Sequence, residues 1–292
     1  MNKRVLVTGA NGQLGRSIQN SAPDYVELEF TFVTRDELDL SRTKFIDDYF
    51  QDKEYDVVIN CAAYTAVDKA EEESALAEQI NHFAVKRLAE ICKVTNTSFV
   101  HISTDYVFDG KSYRPYIETD VPNPENIYGK TKLAGELAVQ EINPNGLIIR
   151  TSWVYSEYGS NFVKTMLRLG ETKNSLSVVY DQIGSPTYAR DLAEAILSII
   201  QRNRLDAEED GIGVYHYSNE GVTSWFDFSR AIFDMRGLGC SVLPVAADHY
   251  PSVAKRPYYS VFNKEKVRQE FDLSIPYWRD SLRKCLEVII KS

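Results

Sequence analysis

The sequence has few cysteines and no long apolar segment. Its 292 residues include four cysteines, which are scattered and form no Cys-x-x-Cys motif: Cys61, Cys92, Cys240 and Cys285. This spacing excludes a disulfide scaffold and a thiolate zinc site, and it favours a reducing compartment. No run approaches the roughly 18 apolar residues of a transmembrane helix, and the apolar residues near the N-terminus are too few for a signal peptide. We therefore expect a cytoplasmic protein that does not enter a membrane.

The sequence also lacks an excess of basic residues. It has 33 Lys and Arg against 42 Asp and Glu, which gives a formal net charge of −9. Proteins that bind nucleic acids or anionic membranes need a basic surface, so we expect neither partner. The four histidines show no metal-ligand spacing. What remains is the composition of a globular protein, with 43% hydrophobic and 26% charged residues.

Apolar runs alternate with amphipathic stretches through the first half of the chain. This alternation predicts a parallel sheet with helices on both faces. The predicted strands are Arg4–Thr8, Leu28–Thr34, Asp56–Asn60, Ser98–Ser103 and Gly146–Thr151. The predicted helices are Gln13–Asn20, Thr43–Gln51, Ala75–Thr95 and Tyr128–Glu141.

The pattern becomes less regular after Arg150, and Tyr, Trp and Pro become more frequent. Four further elements are predicted there: a helix over Arg190–Arg202, an acidic loop over Asp206–Asp210, a strand over Gly213–Tyr217 and a helix that starts near Thr223. We predict an α/β fold of the Rossmann type, a doubly wound parallel sheet with a smaller C-terminal substrate-binding region. Residues 1–151 form the NAD(P)-binding domain, to which later segments return, and residues 152–292 form most of the substrate-binding domain.

A glycine-rich turn follows the first predicted strand. Its glycines, Gly9, Gly12 and Gly15, have G-x-x-G-x-x-G spacing and open the first helix. Glycines allow a tight turn there and let backbone N–H groups approach a pyrophosphate. The second strand runs into Arg35 instead of an acid that would bind a ribose 2′-hydroxyl, and Arg35 can pair with a 2′-phosphate. We expect NADPH as the cofactor, with NADH left open.

Two segments match Tyr-x-x-x-Lys, and the abundance of both residue types makes a chance match expected. Tyr49, which is followed by Lys53, lies among apolar neighbours that resemble a helix packing face. Tyr128, which is followed by Lys132, opens a helix after a proline-rich loop. Context therefore selects the second match.

The second match follows an apolar strand that runs into Thr104. In an open parallel sheet, ligands bind at the carboxyl ends of the strands, so the Thr104 hydroxyl can bind a substrate oxygen. Residues four apart share one helix face, which brings the Lys132 ammonium near the Tyr128 phenol. A nearby positive charge lowers a phenol pKa from its ordinary value of about 10. We therefore predict a lowered pKa for Tyr128, suited to acid–base catalysis.

At these residues the chain resembles the extended short-chain dehydrogenase/reductases, and within them the dTDP-4-dehydrorhamnose reductases. The resemblance spans most of the chain. It is carried by the stretches Gly12–Gly15, Ala62–Glu71, Ser103–Phe108, Tyr128–Glu136, Arg150–Tyr155, Asn161–Met166 and Asp181–Thr187.

The resemblance implies a reaction and a set of site residues. Tyr128 would donate a proton to the C4 keto oxygen of dTDP-4-dehydro-L-rhamnose while the nicotinamide delivers hydride to C4. Lys132 would bind the nicotinamide ribose and tune Tyr128, and Thr104 would complete the triad. The expected cofactor contacts are Gly9, Gly12, Gln13, Leu14, Arg35, Asp39, Leu40, Ala62, Ala63, Tyr64, Thr65, Tyr128 and Lys132. The expected substrate contacts are Thr104, Asp105, Tyr128 and Trp153.

Two of the substrate contacts have alternatives. Arg256, in an Arg-Pro loop, can bind a substrate diphosphate, since Arg binds phosphate well, or it can be a solvated surface charge. Trp153 follows a strand, where an aromatic residue is more often part of the core than a ligand.

The chain departs from the family at the metal site. Some members hold Mg²⁺ at a dimer interface through acidic side chains, and the matching positions here are Ser17 and Arg190. Neither is a good ligand for a hard cation. We therefore expect no metal, and a monomer or a weak homodimer.

Other functions remain open at the level of sequence. A 4,6-dehydratase on the same fold would continue its Thr-Asp motif with a glutamate, and Tyr106 stands there instead. A 4-epimerase or another sugar-nucleotide reductase remains an alternative. So does a non-catalytic, nucleotide-binding regulatory subunit, although such a protein has no need of a Tyr/Lys pair.

Overall fold

The computed structural model describes residues 2–205 and 211–291. The strands are β1 (Lys3–Thr8), β2 (Leu28–Val33), β3 (Val57–Asn60), β4 (Ser98–Thr104), β5 (Gly146–Thr151), β6 (Val154–Tyr155), β7 (Ser175–Val179), β8 (Ile183–Gly184), β9 (Thr187–Tyr188), β10 (Ile212–Tyr217), β11 (Thr223–Ser224) and β12 (Ser241–Val245). The helices are α1 (Gln13–Ser21), α2 (Thr43–Phe50), α3 (Val67–Ala70), α4 (Ser74–Glu78), α5 (Ala84–Thr95), α6 (Ile127–Ile142), α7 (Phe162–Thr172), α8 (Ala189–Gln201), α9 (Trp225–Arg236), α10 (Glu265–Phe271) and α11 (Trp278–Lys291).

Six parallel strands form the main sheet in the order β10-β5-β4-β3-β1-β2. The chain passes from β1 to β2 on one side of β1 and then returns to β3 on its other side. This reversal leaves a crevice at the carboxyl ends of β1 and β3, where ligands bind in sheets of this kind. The predicted doubly wound parallel sheet is confirmed.

Consecutive apolar residues of one strand supply two different cores. Val5 and Val7 belong to a core with α1 and α8, whereas Leu6 belongs to a core with α2, α5 and α6. Successive side chains of a strand point to opposite faces, so a strand covered on both faces must be apolar at every position. This requirement explains the continuous apolar runs of the sequence.

The predicted elements agree with the structure to within one residue at each end, apart from two. The helix predicted over Ala75–Thr95 consists of α4 and α5 joined by a π-helical segment, Gln79–Phe83. The helix predicted near Thr223 begins at Trp225, because Ser224 caps it by accepting a hydrogen bond from the backbone of Asp227. The predicted acidic loop over 206–210 lies outside the described residues.

The second half of the chain contributes to two bodies. Strand β10 pairs with β5 and helix α8 packs on α1, so both belong to the main sheet layer. Helices α7, α9 and α11 pack around the two-stranded sheet of β7 and β12 in a separate core. The division into residues 1–151 and 152–292 as functional domains stays a prediction. No helix within the described residues is long and apolar enough to cross a membrane.

Gly135 allows α6 to approach the π-helical segment. A Cβ at Gly135 would collide with the backbone oxygen of Asn81. We expect Gly135→Ala to lower the free energy of unfolding by about 1–3 kcal/mol, because the backbone on both sides is packed and overpacking forces it to shift. Gly239→Ala is the matched control, since nothing lies within 4 Å of a Cβ there. Urea denaturation of both variants checks the prediction, and equal midpoints would contradict it.

Candidate active site

A continuous cleft of about 890 Å³ runs along the carboxyl ends of β1, β3 and β4. Every residue predicted from the sequence to bind cofactor or substrate lines it, except Arg256. The cleft therefore brings together side chains that are more than a hundred positions apart in the sequence, from Gly9 to Trp153. Their individual roles stay predictions.

The glycine-rich turn forms one end of this cleft. Gly9 has a φ of +65°, and a Cβ there would lie 2.8 Å from the backbone nitrogen of Ala62. Gly12 is the N-cap of α1 and has no side chain that could occupy the N–H groups of the first turn. These groups and the positive end of the helix dipole suit a phosphate, so the turn fits the pyrophosphate of a dinucleotide.

Tyr128 lies at the N-terminal end of α6, beside the carboxyl end of β4. Asn126 caps this helix by accepting a hydrogen bond from the backbone of Gly129, which fixes where the helix begins. Thr104 and Tyr128 both line the cleft, and the Thr104 hydroxyl donates to Asp105 at 3.0 Å. A phenol and a hydroxyl thus face one point of the cleft, as a keto oxygen would require.

Lys132 is buried one turn further along α6, with 1% of its surface exposed. Its Nζ atom donates to the backbone oxygen of Ile102 at 2.6 Å and lies 3.3 Å from Nε2 of His101. Burial lowers the pKa of Lys132 to about 8, and the charge of Glu136 opposes this shift. The Lys132 amino group can therefore be present in both protonation states near neutral pH.

The prediction that Lys132 lowers the pKa of Tyr128 is wrong for this structure. Burial raises the pKa of Tyr128 to about 12; the hydrogen bond with Thr104 lowers it, and the charge of Asp105 adds to the rise. The amino group of Lys132 bonds with His101 and Ile102 instead. Removing the phenolate from water thus outweighs the hydrogen bond with Thr104. A high pKa keeps Tyr128 protonated, which suits a proton donor.

Asp105 is a buried carboxyl group next to this pair. Burial raises its pKa to about 6, against the opposing effect of hydrogen bonds with Ser260 and Thr104. Asp105 lines the cleft together with Tyr106 and Tyr128, whose ring centres are 5.4 Å apart. A carboxyl group held in this way can accept a hydrogen bond from a sugar hydroxyl.

The cleft is also lined by charged side chains. Arg35 is 72% exposed and lies 3.5 Å from Asp39, which also pairs with Arg42. Both Asp39 and Leu40 line the cleft, as expected for the adenine end of a dinucleotide. Tyr64, in the loop after β3, lines the opposite wall and donates to Glu73 at 2.6 Å.

Trp153 forms part of the cleft wall from the second body. It has a φ of +50°, and its ring stacks on Trp225 with 3.6 Å between ring centres. Gly184 leaves room for this ring, since a Cβ there would lie 2.6 Å from it. Trp153 is therefore a half-buried residue that lines the cleft and packs on Trp225, and its contact with a substrate stays a prediction.

Arg256 lies in a second cavity of about 860 Å³. It donates to Asp68 at 2.6 Å, so its charge is paired within the protein. Tyr106, Phe162 and Trp225 line both cavities, which makes the second cavity an extension of the first. Arg256 does not line the first cavity. It can, however, reach a ligand that extends from the first cavity into the second.

Tyr49 lies away from the cleft, in the core beneath β3. Its ring packs against Phe50, and its hydroxyl is 3.0 Å from that of Tyr55. This is the helix packing face expected for the first Tyr-x-x-x-Lys match.

The two positions that match the metal ligands of some relatives are occupied by internal contacts. Ser17 is buried and donates to the backbone of Gln13, and Arg190 pairs with Glu194 at 2.9 Å. Across residues 2–205 and 211–291, no cluster of His, Cys, Asp or Glu side chains could hold a metal ion.

Asn81 does not line the cleft but connects two parts of it, and the sequence analysis did not identify it. It lies in the π-helical segment, where its side chain accepts from the backbone nitrogen of Tyr64 and donates to Thr131 on α6. It thereby joins the loop after β3 to the helix that carries Tyr128. A π-helical turn often marks a functional site, but nothing in the sequence of this segment distinguishes it from an α-helix.

Comparison with known proteins assigns the chain to a family. The family model described as "RmlD substrate binding domain" matches residues 3–290. The dTDP-4-dehydrorhamnose reductase of Sinorhizobium fredii is 39% identical, and the match covers 98% of each chain.

Two solved structures are also similar over the whole chain. The dTDP-4-dehydrorhamnose reductase of Clostridium acetobutylicum has a TM-score of 0.92 at 40% identity, with 98% of this chain and 99% of that chain covered. The Bacillus anthracis enzyme, in complex with NADP, has a TM-score of 0.90 at 40% identity, with both chains fully covered. The chain belongs to the dTDP-4-dehydrorhamnose reductase family.

Proposed function

We propose that this protein reduces the C4 keto group of dTDP-4-dehydro-L-rhamnose to give dTDP-L-rhamnose, with NADPH as the reductant. The observation that carries the proposal is the convergence of Thr104, Tyr128 and Lys132 in the cleft that the glycine-rich turn opens. Membership of the family adds the substrate and the product. The reaction belongs to the synthesis of dTDP-rhamnose for cell-surface polysaccharide, and we place it in the cytoplasm.

The residues of the cleft fit a nicotinamide dinucleotide. The N-terminal turn of α1 would bind the pyrophosphate, and Arg35 would pair with a 2′-phosphate. Lys132 would bind the ribose next to the nicotinamide. When bound, this cofactor supplies the hydride for C4.

The protein itself supplies orientation and a proton. Thr104 and Tyr128 would bind the keto oxygen, and Tyr128 would transfer its proton to that oxygen as negative charge develops there. The Lys132 ammonium, one helical turn away, would stabilise the resulting phenolate. Thr104 and Lys132 are buried and Tyr128 is half-buried, which would limit the access of water to the reacting oxygen.

The two cavities together suit a sugar nucleotide. The sugar would lie against Thr104, Asp105 and Trp153, and the nucleotide would extend into the second cavity beside Arg256. The position of Arg256 there suits a diphosphate. We further propose a monomer or a weak homodimer that needs no metal, since Ser17 and Arg190 replace the acidic ligands. Activity should then be unchanged by EDTA.

Tyr128→Phe tests the proton donor. We expect kcat to fall by about 10²–10⁴-fold, the usual contribution of a general acid, with NADPH affinity within a few-fold of wild type. NADPH oxidation is followed by absorbance, with dTDP-4-dehydro-L-rhamnose as substrate. Tyr49→Phe is the matched control and should keep full activity. Full activity of Tyr128→Phe would show that Tyr128 is not the proton donor.

Arg35→Ala tests the choice of cofactor. Loss of the guanidinium should raise the KM for NADPH by about tenfold, because Arg35 is exposed and a charged hydrogen bond there is partly screened. The KM for NADH should stay the same. Arg42→Ala also removes a partner of Asp39 but lies outside the cleft, so it is the control. An equal effect on both cofactors would contradict a 2′-phosphate contact.

Asp105→Asn tests the buried carboxyl group. The pKa of Asp105 is higher in the folded protein than in the unfolded chain. Between about pH 4 and pH 6 the carboxyl group therefore ionises more readily in the unfolded chain, and the folded protein loses stability as the pH rises through this range. The amide should therefore raise the free energy of unfolding at pH 7.5 by on the order of 1–3 kcal/mol, and the gain should vanish near pH 4.

The same variant should bind substrate more weakly. Asp109→Asn is the control for stability: burial raises the pKa of Asp109, but hydrogen bonds from Lys111 and Asn123 outweigh it and lower the pKa. This control should lose stability at pH 7.5. A loss of stability in Asp105→Asn at pH 7.5 would contradict the raised pKa of Asp105.

A further inference from the structure

A row of buried polar side chains crosses the main sheet beneath the cleft. Thr8 on β1 is in register with Asn60 on β3, and Asn60 is in register with His101 on β4. Lys132 on α6 ends the row. At most 1% of each of these four residues is exposed, whereas the residues just before Thr8 and Asn60, Val7 and Ile59, are buried apolar ones.

The members of the row are joined by hydrogen bonds from end to end. Thr8 donates to Asn60 at 2.6 Å, the Asn60 amide lies 3.2 Å from Nδ1 of His101, and Nε2 of His101 lies 3.3 Å from Nζ of Lys132. The Thr8 hydroxyl also accepts from the backbone nitrogen of Ala62, which lines the cleft. The row thus links the loop after β3 to Lys132.

Polar groups in a buried sheet cost free energy unless each has a partner. Asn60 and His101 do not reach the cleft as substrate or cofactor contacts would, and His101 does not line it. Burial and the charge of Lys132 lower the pKa of His101 well below its usual value, so the ring is neutral. A neutral ring presents a donor at one nitrogen and an acceptor at the other.

Within the described residues, the amino group of Lys132 has two hydrogen-bond partners, His101 and the backbone oxygen of Ile102. As an ammonium it has three N–H groups, of which Ile102 accepts one and His101 can accept a second. The third remains for the cleft. Thr8 donates to Oδ1 of Asn60, so the amide nitrogen Nδ2 faces Nδ1 of His101; Nδ1 then accepts and Nε2–H donates, which suits the neutral amine of Lys132. With the Asn60 amide turned over, Nδ1–H donates to Oδ1 and Nε2 accepts from the ammonium.

We propose that His101 is a positioning residue that holds the Lys132 amino group toward the cleft and ties it, through Asn60 and Thr8, to the loop at Ala62. The proposal rests on the function proposed above, in which Lys132 is part of the catalytic machinery. It assigns to a strand residue outside the cleft a specific effect on the reaction.

The charges around Lys132 determine the sign of this effect. Glu136 faces it from α6 but is held by Arg150 on β5, which in turn lies beside His216 on β10. Tyr128 lies one turn before it on α6. Among the described residues, His101 is the one side chain that hydrogen-bonds to Nζ, and the other partner is the backbone oxygen of Ile102. A hydrogen bond from a charged donor is stronger than one from a neutral donor, so with the Asn60 amide turned over and Nε2 free to accept, His101 favours the ammonium.

Three substitutions at His101 separate its two contacts. Gln places a carbonyl oxygen near the position of Nε2 and keeps a partner for Lys132; Asn places its amide near Nδ1 and keeps only the contact to Asn60. Phe removes both. We expect kcat at pH 8 to fall about tenfold in His101→Phe and His101→Asn and to recover to within threefold of wild type in His101→Gln. The alkaline limb of the kcat profile should move down by about one pH unit in the first two.

A second readout does not depend on turnover. The ¹⁵N shifts of the His101 ring in the whole protein should show a neutral ring that changes tautomer as Lys132 titrates near pH 8, and Lys132→Met should abolish this change. Thermal unfolding of each variant shows whether it is folded.

The outcomes distinguish the two proposals. A wild-type protein that does not oxidise NADPH overturns the proposed function, and the ring titration still tests the contact. Wild-type pH profiles for folded His101→Phe and His101→Asn, or equal losses in all three variants, overturn the positioning role. If His101→Phe does not fold, the comparison of His101→Gln with His101→Asn and the ring titration still test the positioning role.

Discussion

The burial of Lys132 is the constraint on which the rest of the site depends. An amino group in the interior is costly, and it is held there by the backbone oxygen of Ile102, by His101 and by the charge of Glu136. Each of these partners comes from an element whose position is fixed by the sheet. The carboxyl end of β4, the start of α6 and the row of polar residues beneath them therefore have to be in place together.

This arrangement explains why the tyrosine is poised as an acid and not as a phenolate. Removing Tyr128 from water raises its pKa to about 12, and the hydrogen bond with Thr104 opposes this only in part. The buried phenol keeps its proton until negative charge develops on an oxygen beside it. Proton donation and the exclusion of water thus have the same structural origin.

The fold and most of the residues that line the cleft could be predicted because they depend on local sequence patterns. Buried parallel strands need apolar residues at every position, and a phosphate-binding turn needs glycines, so β1, β3 and the turn at Gly9 are visible in the sequence. The choice of Tyr128 over Tyr49 depended only on the elements before and after each match. The residues that line the cleft followed from the family resemblance.

The features that could not be predicted depend on contacts between distant segments. Helices α7 and α11 have apolar faces that only the second core explains, and the stack of Trp153 on Trp225 joins positions far apart in the chain. The pKa of Tyr128 was predicted with the wrong sign because spacing on a helix gives proximity but not burial. His101 falls within the predicted strand Ser98–Ser103, yet its bond to Lys132 depends on how α6 packs against β4.

The central claim is that hydride passes from the nicotinamide to C4 of the sugar and that the oxidised cofactor is then released. Reduced nicotinamide carrying deuterium at the transferred position, mixed with dTDP-4-dehydro-L-rhamnose and the purified protein, tests this claim most directly. The account predicts one deuterium at C4 of dTDP-L-rhamnose for each cofactor oxidised. A C4-epimerised product without label, or cofactor binding without any product, would contradict it.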